Sequence, residues 1–334
     1  MHRIILLYLL FLLVSSCQFF SSTSKKTSQE GTIVFPETSK ISTLIEDNPK
    51  DASLYFKRGL ILREIEKDSL AMLDFQKAIS LDSTKAPFYS ALGDLLFDHK
   101  DITGSLGWIK KAIELDPEDK VAHLKLAKLF LFTAEYPKAF TEINTVLRSD
   151  VYNTEAYFLK GMCYKNMKDT NKAISSFQTS VQADPKNVDS YMQLAILHEA
   201  KKDPLALEYY ENAYKANPSN LDPLYGKAMY WQNQGKFEEA KKIFTRMIVL
   251  DRNYPVSFYN MGWMLLQQDS IDKAIRQFNI AIEVNPDYTE AYHNRGLCYE
   301  IQHNKNAAIA DYNQALNFNP DFAPSKEALK RIQQ

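Results

Sequence analysis

Side chains that could do chemistry are few in this chain and widely dispersed. Three cysteines, Cys17, Cys163 and Cys298, and six histidines stand among 41 acidic residues. His198-Glu199 begins like a paired-histidine zinc helix, in which two imidazoles four residues apart grip the metal and the glutamate acts as base. Four residues beyond His198 stands Lys202, whose ammonium group is not a ligand of that kind. There is no glycine-rich phosphate loop and no dinucleotide fingerprint, and no carboxylate pair stands out as an acid and a base. The sequence therefore predicts a protein that is not an enzyme and needs no metal or cofactor. Lys plus Arg total 40 against 41 for Asp plus Glu, so no net positive field exists to gather nucleic acid. The work of this chain must lie in how its surfaces are positioned.

The first surface in question is a membrane. His2 and Arg3 precede eleven apolar residues, Ile4 to Val14, and the small pair Ser15 and Ser16 follows. A spanning helix needs about 20 apolar residues, so this run fits the apolar stretch of a secretory signal. Val14-Ser15-Ser16-Cys17 resembles the lipobox of bacterial lipoproteins. That resemblance implies cleavage after residue 16 and a lipid anchor on Cys17; a plain secretory signal and an uncleaved anchor are the alternatives. Residues 17–38, rich in Ser, Thr and Lys, read as a flexible tether behind that anchor. By the sorting patterns of such lipoproteins, Gln18 implies the outer membrane, and the lack of an acidic run after Cys17 implies its periplasmic face, within a bacterial cell envelope.

Beyond residue 38 the chain repeats itself. Small residues recur at Gly59, Gly93, Ala127, Gly161, Ala195, Ala228, Gly262 and Gly296, every step being 34 except one of 33. A second small column runs Ala71, Ser105, Ala139, Ala173, Ala206, Ala240, Ala274 and Ala308. Large side chains follow it at Phe75, Ile109, Ile143, Phe177, Tyr210, Phe244, Phe278 and Tyr312. Prolines fall in turns, in the tether or where a helix should begin, as at Pro87, Pro137, Pro204, Pro223 and Pro255, because a proline inside a helix costs about 3 kcal/mol or more. This pattern resembles the tetratricopeptide repeat, most clearly in Ala291-Tyr292-His293-Asn294-Arg295-Gly296-Leu297-Cys298-Tyr299.

The resemblance implies an all-α fold, a right-handed α-solenoid of eight helix-turn-helix repeats over residues 52–323. Residues 39–51 would form a half-repeat, with Ile41, Leu44 and Ile45 covering the first unit. Residues 324–334 would form a capping helix with Ala328, Leu329 and Ile332 on one side. Cys163 and Cys298 share a column with Ile61, Leu95, Leu129, Leu197, Tyr230 and Met264, so they read as small apolar core residues, too distant from each other for a disulfide.

In this family the residues three before and one after the first small column line the concave groove. Here they read Phe158 and Met162, Met192 and Ile196, Tyr225 and Met229, Tyr259 and Trp263, His293 and Leu297. Members of each pair lie four apart and share a helix face. The second members, where the family often carries asparagine, are apolar throughout these five units. Contiguous open apolar area marks a binding surface, so the expected function is a scaffold that docks a protein or peptide partner. The alternatives are a structural homo-oligomer of an envelope assembly and an enzyme with a site scattered along the groove. The asparagine and lysine pattern of a carboxylate clamp is missing, since Phe56 and Leu60 stand where it would begin.

Overall fold

A computed structural model of the chain describes residues 35–333. The expected signal and the anchor residue Cys17 lie outside them. Among the described residues there are eighteen α-helices and no strand, and no helix is long and apolar enough to cross a membrane. The helices fall into two compact units, one reaching to Pro117 and the other starting at Glu118.

The first unit opens with a short 3-10 turn at Pro36–Thr38 and helix α1 (Ser39–Asp47). Two helix pairs follow, α2 (Ala52–Glu64) with α3 (Asp68–Leu81), and α4 (Ala86–Asp98) with α5 (Ile102–Leu115). Each helix packs on the next in sequence. The last residues of the expected tether belong to this packing: Phe35 lies against the cluster of Leu62, Phe75 and Leu92, and Thr38 is buried. Helix α1 covers α2 with Ile45 but not with Leu44, which is 48% exposed. One helix turn holds Ile41 and Ile45 on the inner side and swings Leu44 outward.

The second unit stacks six further pairs: α6 (Lys120–Phe132) with α7 (Tyr136–Ser149), α8 (Thr154–Asn166) with α9 (Thr170–Ala183), and α10 (Val188–Ala200) with α11 (Leu205–Ala216). After these come α12 (Asp222–Asn233) with α13 (Phe237–Leu250), α14 (Pro255–Gln267) with α15 (Ile271–Val284), and α16 (Thr289–Ile301) with α17 (Lys305–Phe318). Helix α18 (Ala323–Gln333) closes the stack. It begins before Pro324, taking that proline into its first turn, and lays Ala328, Leu329 and Ile332 on Tyr299, Ala308 and Tyr312.

The repeated columns explain why each pair forms. Phe75, Phe177, Phe244, Phe278 and Tyr312 are fully buried, each with its ring on the small residue of the partner helix. A Cβ at Gly161 would stand 2.6 Å from the Phe177 ring, and one at Gly262 would stand 2.8 Å from Phe278. Ala228 and Phe244, at the same two repeat positions, are fully buried in one cluster. The 33-residue step falls at α11, which has 12 residues where every other second helix has 14. Pro204 occupies its N-cap, so the missing residues come from a frayed first turn and not from the packed middle.

Within each pair the chain leaves the first helix through a residue in the left-handed region, two positions past the last helical one: Glu66, Lys100, Ala134, Lys168, Lys202, Gly235, Asp269 and His303. Only Gly235 is the residue that adopts this conformation without penalty. Ala134, at φ 58° and exposed, has no polar side chain to offset the strain. Ala134→Gly is therefore expected to stabilise the protein by about 0.5–1 kcal/mol, read as a rise in the urea midpoint at unchanged slope. A fall would show that unfolded-chain entropy outweighs the relieved strain.

Candidate docking surface

The first helices of successive pairs approach one another directly at α6 and α8 and at α14 and α16, so they form the inner wall of the second unit. All ten of the expected groove residues lie on these first helices, but they are not equally open. Phe158 and Met162 lean on the cluster around Phe177 and Leu194, and Met192 on the cluster around Tyr210 and Tyr230. Tyr225, Met229 and Trp263 surround Leu224, Phe244 and Met264. Trp263 meets Phe237 edge-on with ring centroids 6.0 Å apart, so it is framework as well as surface. Ile196 is 39% exposed, and Leu60, at the same repeat position in the first unit, is 38% exposed. Leu297 is half-buried.

His293 sits apart from the others because the capping helix covers it. Its Nδ1 lies 3.0 Å from the Ser325 hydroxyl, and its ring packs on Tyr312 and edge-on to Phe322. Burial, aided by the Arg331 guanidinium and opposed by Glu300, holds its pKa below the usual 6.5. A histidine with a lowered folded pKa binds fewer protons than the unfolded chain does. Its contribution is complete above about pH 6.5 and is lost as pH falls through the folded value. Between about pH 7 and pH 5.5 the wild type should lose more thermal stability than His293→Phe, and the imidazole should titrate below 6.5 by NMR. A normal midpoint would contradict the packing described for α18.

Four tyrosines of the last three pairs gather on the same wall, and two of them escape the column logic. Tyr254 and Tyr288 are the N-cap residues of α14 and α16 and give those helices no side-chain capping bond. The same position holds Asp51, Asp119, Asn153 and Asn187, each accepting a hydrogen bond from its helix. Tyr288 instead packs against Tyr259, the rings tilted by 35° with centroids 5.0 Å apart, and the Tyr259 hydroxyl accepts a 2.9 Å hydrogen bond from Asn294 Nδ2. Burial, then the neighbouring tyrosines and Glu290, push the Tyr288 phenol far up. Tyr254 is raised by burial, with Asp222 and Tyr225 beside it.

The reactive residues have structural surroundings. His198 Nδ1 lies 2.8 Å from Asp203 Oδ2, and Lys202 sits in the left-handed turn between them. Among the described residues no group of three or more His, Cys, Asp or Glu could hold a metal ion. Cys163 and Cys298 are fully buried and unbridged. Burial pushes their thiols up, to about 11 and about 12 respectively, which keeps them protonated and unreactive.

Models of the tetratricopeptide repeat match residues 52–85, 154–187 and 289–322. The chain carries tetratricopeptide repeats. These matched segments coincide with the pairs α2/α3, α8/α9 and α16/α17, and the pairs between them repeat the same packing. A human protein O-mannosyl-transferase, TMTC3, is 29% identical over 168 residues, 49% of this chain and 18% of its own length. A TPR repeat-containing protein of Methanocaldococcus jannaschii is 24% identical over 212 residues, 60% of this chain and 37% of its own. The chain thus spans well under half the length of either relative. A tetratricopeptide repeat protein of Parabacteroides merdae superposes with TM-score 0.50 at 15% identity, over 75% of this chain and 99% of that one, a likeness of fold. Tetratricopeptide repeat proteins serve generally as protein–protein interaction scaffolds.

Proposed function

We propose that this chain is a non-enzymatic adaptor, anchored by a lipid on Cys17 at the periplasmic face of a bacterial outer membrane, that docks a protein or peptide partner along the first helices of its repeats. The observation that carries the docking reading is the run of apolar and aromatic side chains at one position of the first helices from the fourth repeat to the eighth, Met162, Ile196, Met229, Trp263 and Leu297, with Ile196 left open among them. Ile196 is exposed and Met162, Met229, Trp263 and Leu297 around it are half-buried, and apolar area left partly in water along one wall serves recognition better than it serves folding.

Two experiments test it. Metabolic labelling with a fatty-acid probe should mark the wild type and leave Cys17→Ser unmarked; equal labelling removes the anchor from the reading. A photo-crosslinking residue at position 196 should capture a heterologous partner, whereas one at Val249, exposed on the second helix α13, should not. Self-crosslinks alone would turn the reading into a homo-oligomer, and capture from 249 alone would move docking to the outer face.

A further inference from the structure

We propose that the inner wall of the last three repeats reads a basic protein segment, holding an arginine of the partner in a box of Tyr225, Tyr254, Tyr259 and Tyr288 with the carboxylates of Asp222 and Glu290. This inference rests on the docking reading above and names the chemistry of the partner.

The box is built against local preference. An N-cap aspartate or asparagine is the favoured residue before a first helix, and the chain uses it in the first, third, fourth and fifth repeats; Lys85 and Leu221 stand there uncapped in the second and sixth, and only the last two repeats place an aromatic ring at the N-cap. At Tyr254 and Tyr288 the capping bond is given up, and the rings turn toward the wall. Places where a sequence breaks its own local rule are where function is expected. Tyr225 and Tyr254 pack on the cluster of Leu224, Phe244 and Met264, Tyr259 and Tyr288 pack on the neighbouring cluster of Phe258 and Ala291 with their ring centroids 5.0 Å apart, and Asn294 fixes the Tyr259 ring through its hydroxyl.

Charge specifies the ligand. Asp222 and Glu290 stand exposed in the first turns of α12 and α16. The charged groups that bear most on the half-buried phenols of Tyr254, Tyr259 and Tyr288 are Asp222, Asp251 and Glu290, all acidic. Elsewhere the chain supplies its own cations to its aromatic rings: Arg58 to Tyr55, Arg246 to Tyr214, Lys236 to Trp231 and Arg295 to Tyr292. Among the described residues none lies over the four tyrosines of the box. Tyrosine faces beside carboxylates suit a guanidinium, which stacks on the ring and pairs with the carboxylate at once. An acidic segment would meet repulsion there.

The test uses the full chain and two labelled peptides of one apolar sequence, the first bearing arginines and the second glutamine in their place, read by fluorescence anisotropy. The arginine peptide should bind at least tenfold more tightly and weaken with added salt. Asp222→Asn combined with Glu290→Gln, two changes at exposed positions, should abolish that preference, and so should Tyr288→Leu, which keeps the apolar bulk. Should Tyr288→Leu unfold the protein, the carboxylate pair alone decides the outcome. Equal binding of both peptides would overturn the arginine box while leaving apolar docking on this wall intact. Survival of the preference in the variants would place the arginine elsewhere and overturn the box. Binding of neither peptide would also overturn it, and crosslinking from position 196 would still judge the docking reading separately.

Discussion

Asp311→Ala is expected to cost about 3–4 kcal/mol of stability, near the usual cost of stranding one partner of a buried ion pair. Arg295 Nε and Nη2 each donate to an Asp311 oxygen at 2.7 Å, and Nη1 donates to Asn279 Oδ1 at 2.7 Å. The side chains are 18% and 9% exposed, so removing the carboxylate leaves a guanidinium that water reaches poorly. One repeat earlier the same two positions are Met261 and Gln277. Arg295→Met combined with Asp311→Gln should therefore recover most of the loss, since well-packed replacements for a buried pair are often neutral. Urea unfolding of the three proteins decides it. A single variant as stable as the wild type would mean that the pair is solvated and idle.

The second large effect is expected at Phe278, where truncation to alanine should cost about 3–5 kcal/mol. Its ring is fully buried, lies on Gly262 and meets Tyr259 at 5.9 Å; the glycine's backbone cannot close the void that alanine would leave. Trp263→Ala should cost about 2 kcal/mol, because its ring is only half-buried and part of its contact is already with water. The two values, measured by denaturant titration at a common slope, separate core from wall. Equal losses would make Trp263 a core residue, and a negligible loss at Phe278 would contradict the packing register of the α14/α15 pair.

Much of the fold is legible in the sequence because a solenoid poses the same packing problem in every unit. Each pair meets only its neighbours, so the glycine and alanine columns, the aromatic column behind them and the helix-starting prolines have to recur. The placement of Ala328, Leu329 and Ile332 on one face of α18 follows from the same periodicity. Residues that depart from the columns are harder to read. Leu44 looks like core by composition and is turned outward by the phase of a two-turn helix. Arg58 with Asp74 and Arg295 with Asp311 look like scattered solvent-facing charge. The signal that betrays them is the shared 16-residue spacing, each arginine preceding the small column and each aspartate preceding the aromatic one. Tyr254 and Tyr288 leave no mark in the groove columns. They stand out only in the N-cap column, where aspartate and asparagine give way to two tyrosines. His293 belongs to the open groove by its column, and nothing in one column reveals that a terminal helix lies across it.

Whether the open apolar position of the inner wall is the docking surface comes down to one pair of variants. Ile196→Asp places a charge where the side chain is already 39% exposed, and Val249→Asp does the same on a second helix at 78% exposure. Both proteins should melt within a few degrees of the wild type. Binding of the partner captured from position 196, measured by titration against each purified variant, should weaken at least tenfold for Ile196→Asp, a loss of about 1.4 kcal/mol, and stay unchanged for Val249→Asp. Equal affinity for Ile196→Asp and the wild type, with both proteins folded, would contradict docking on this wall.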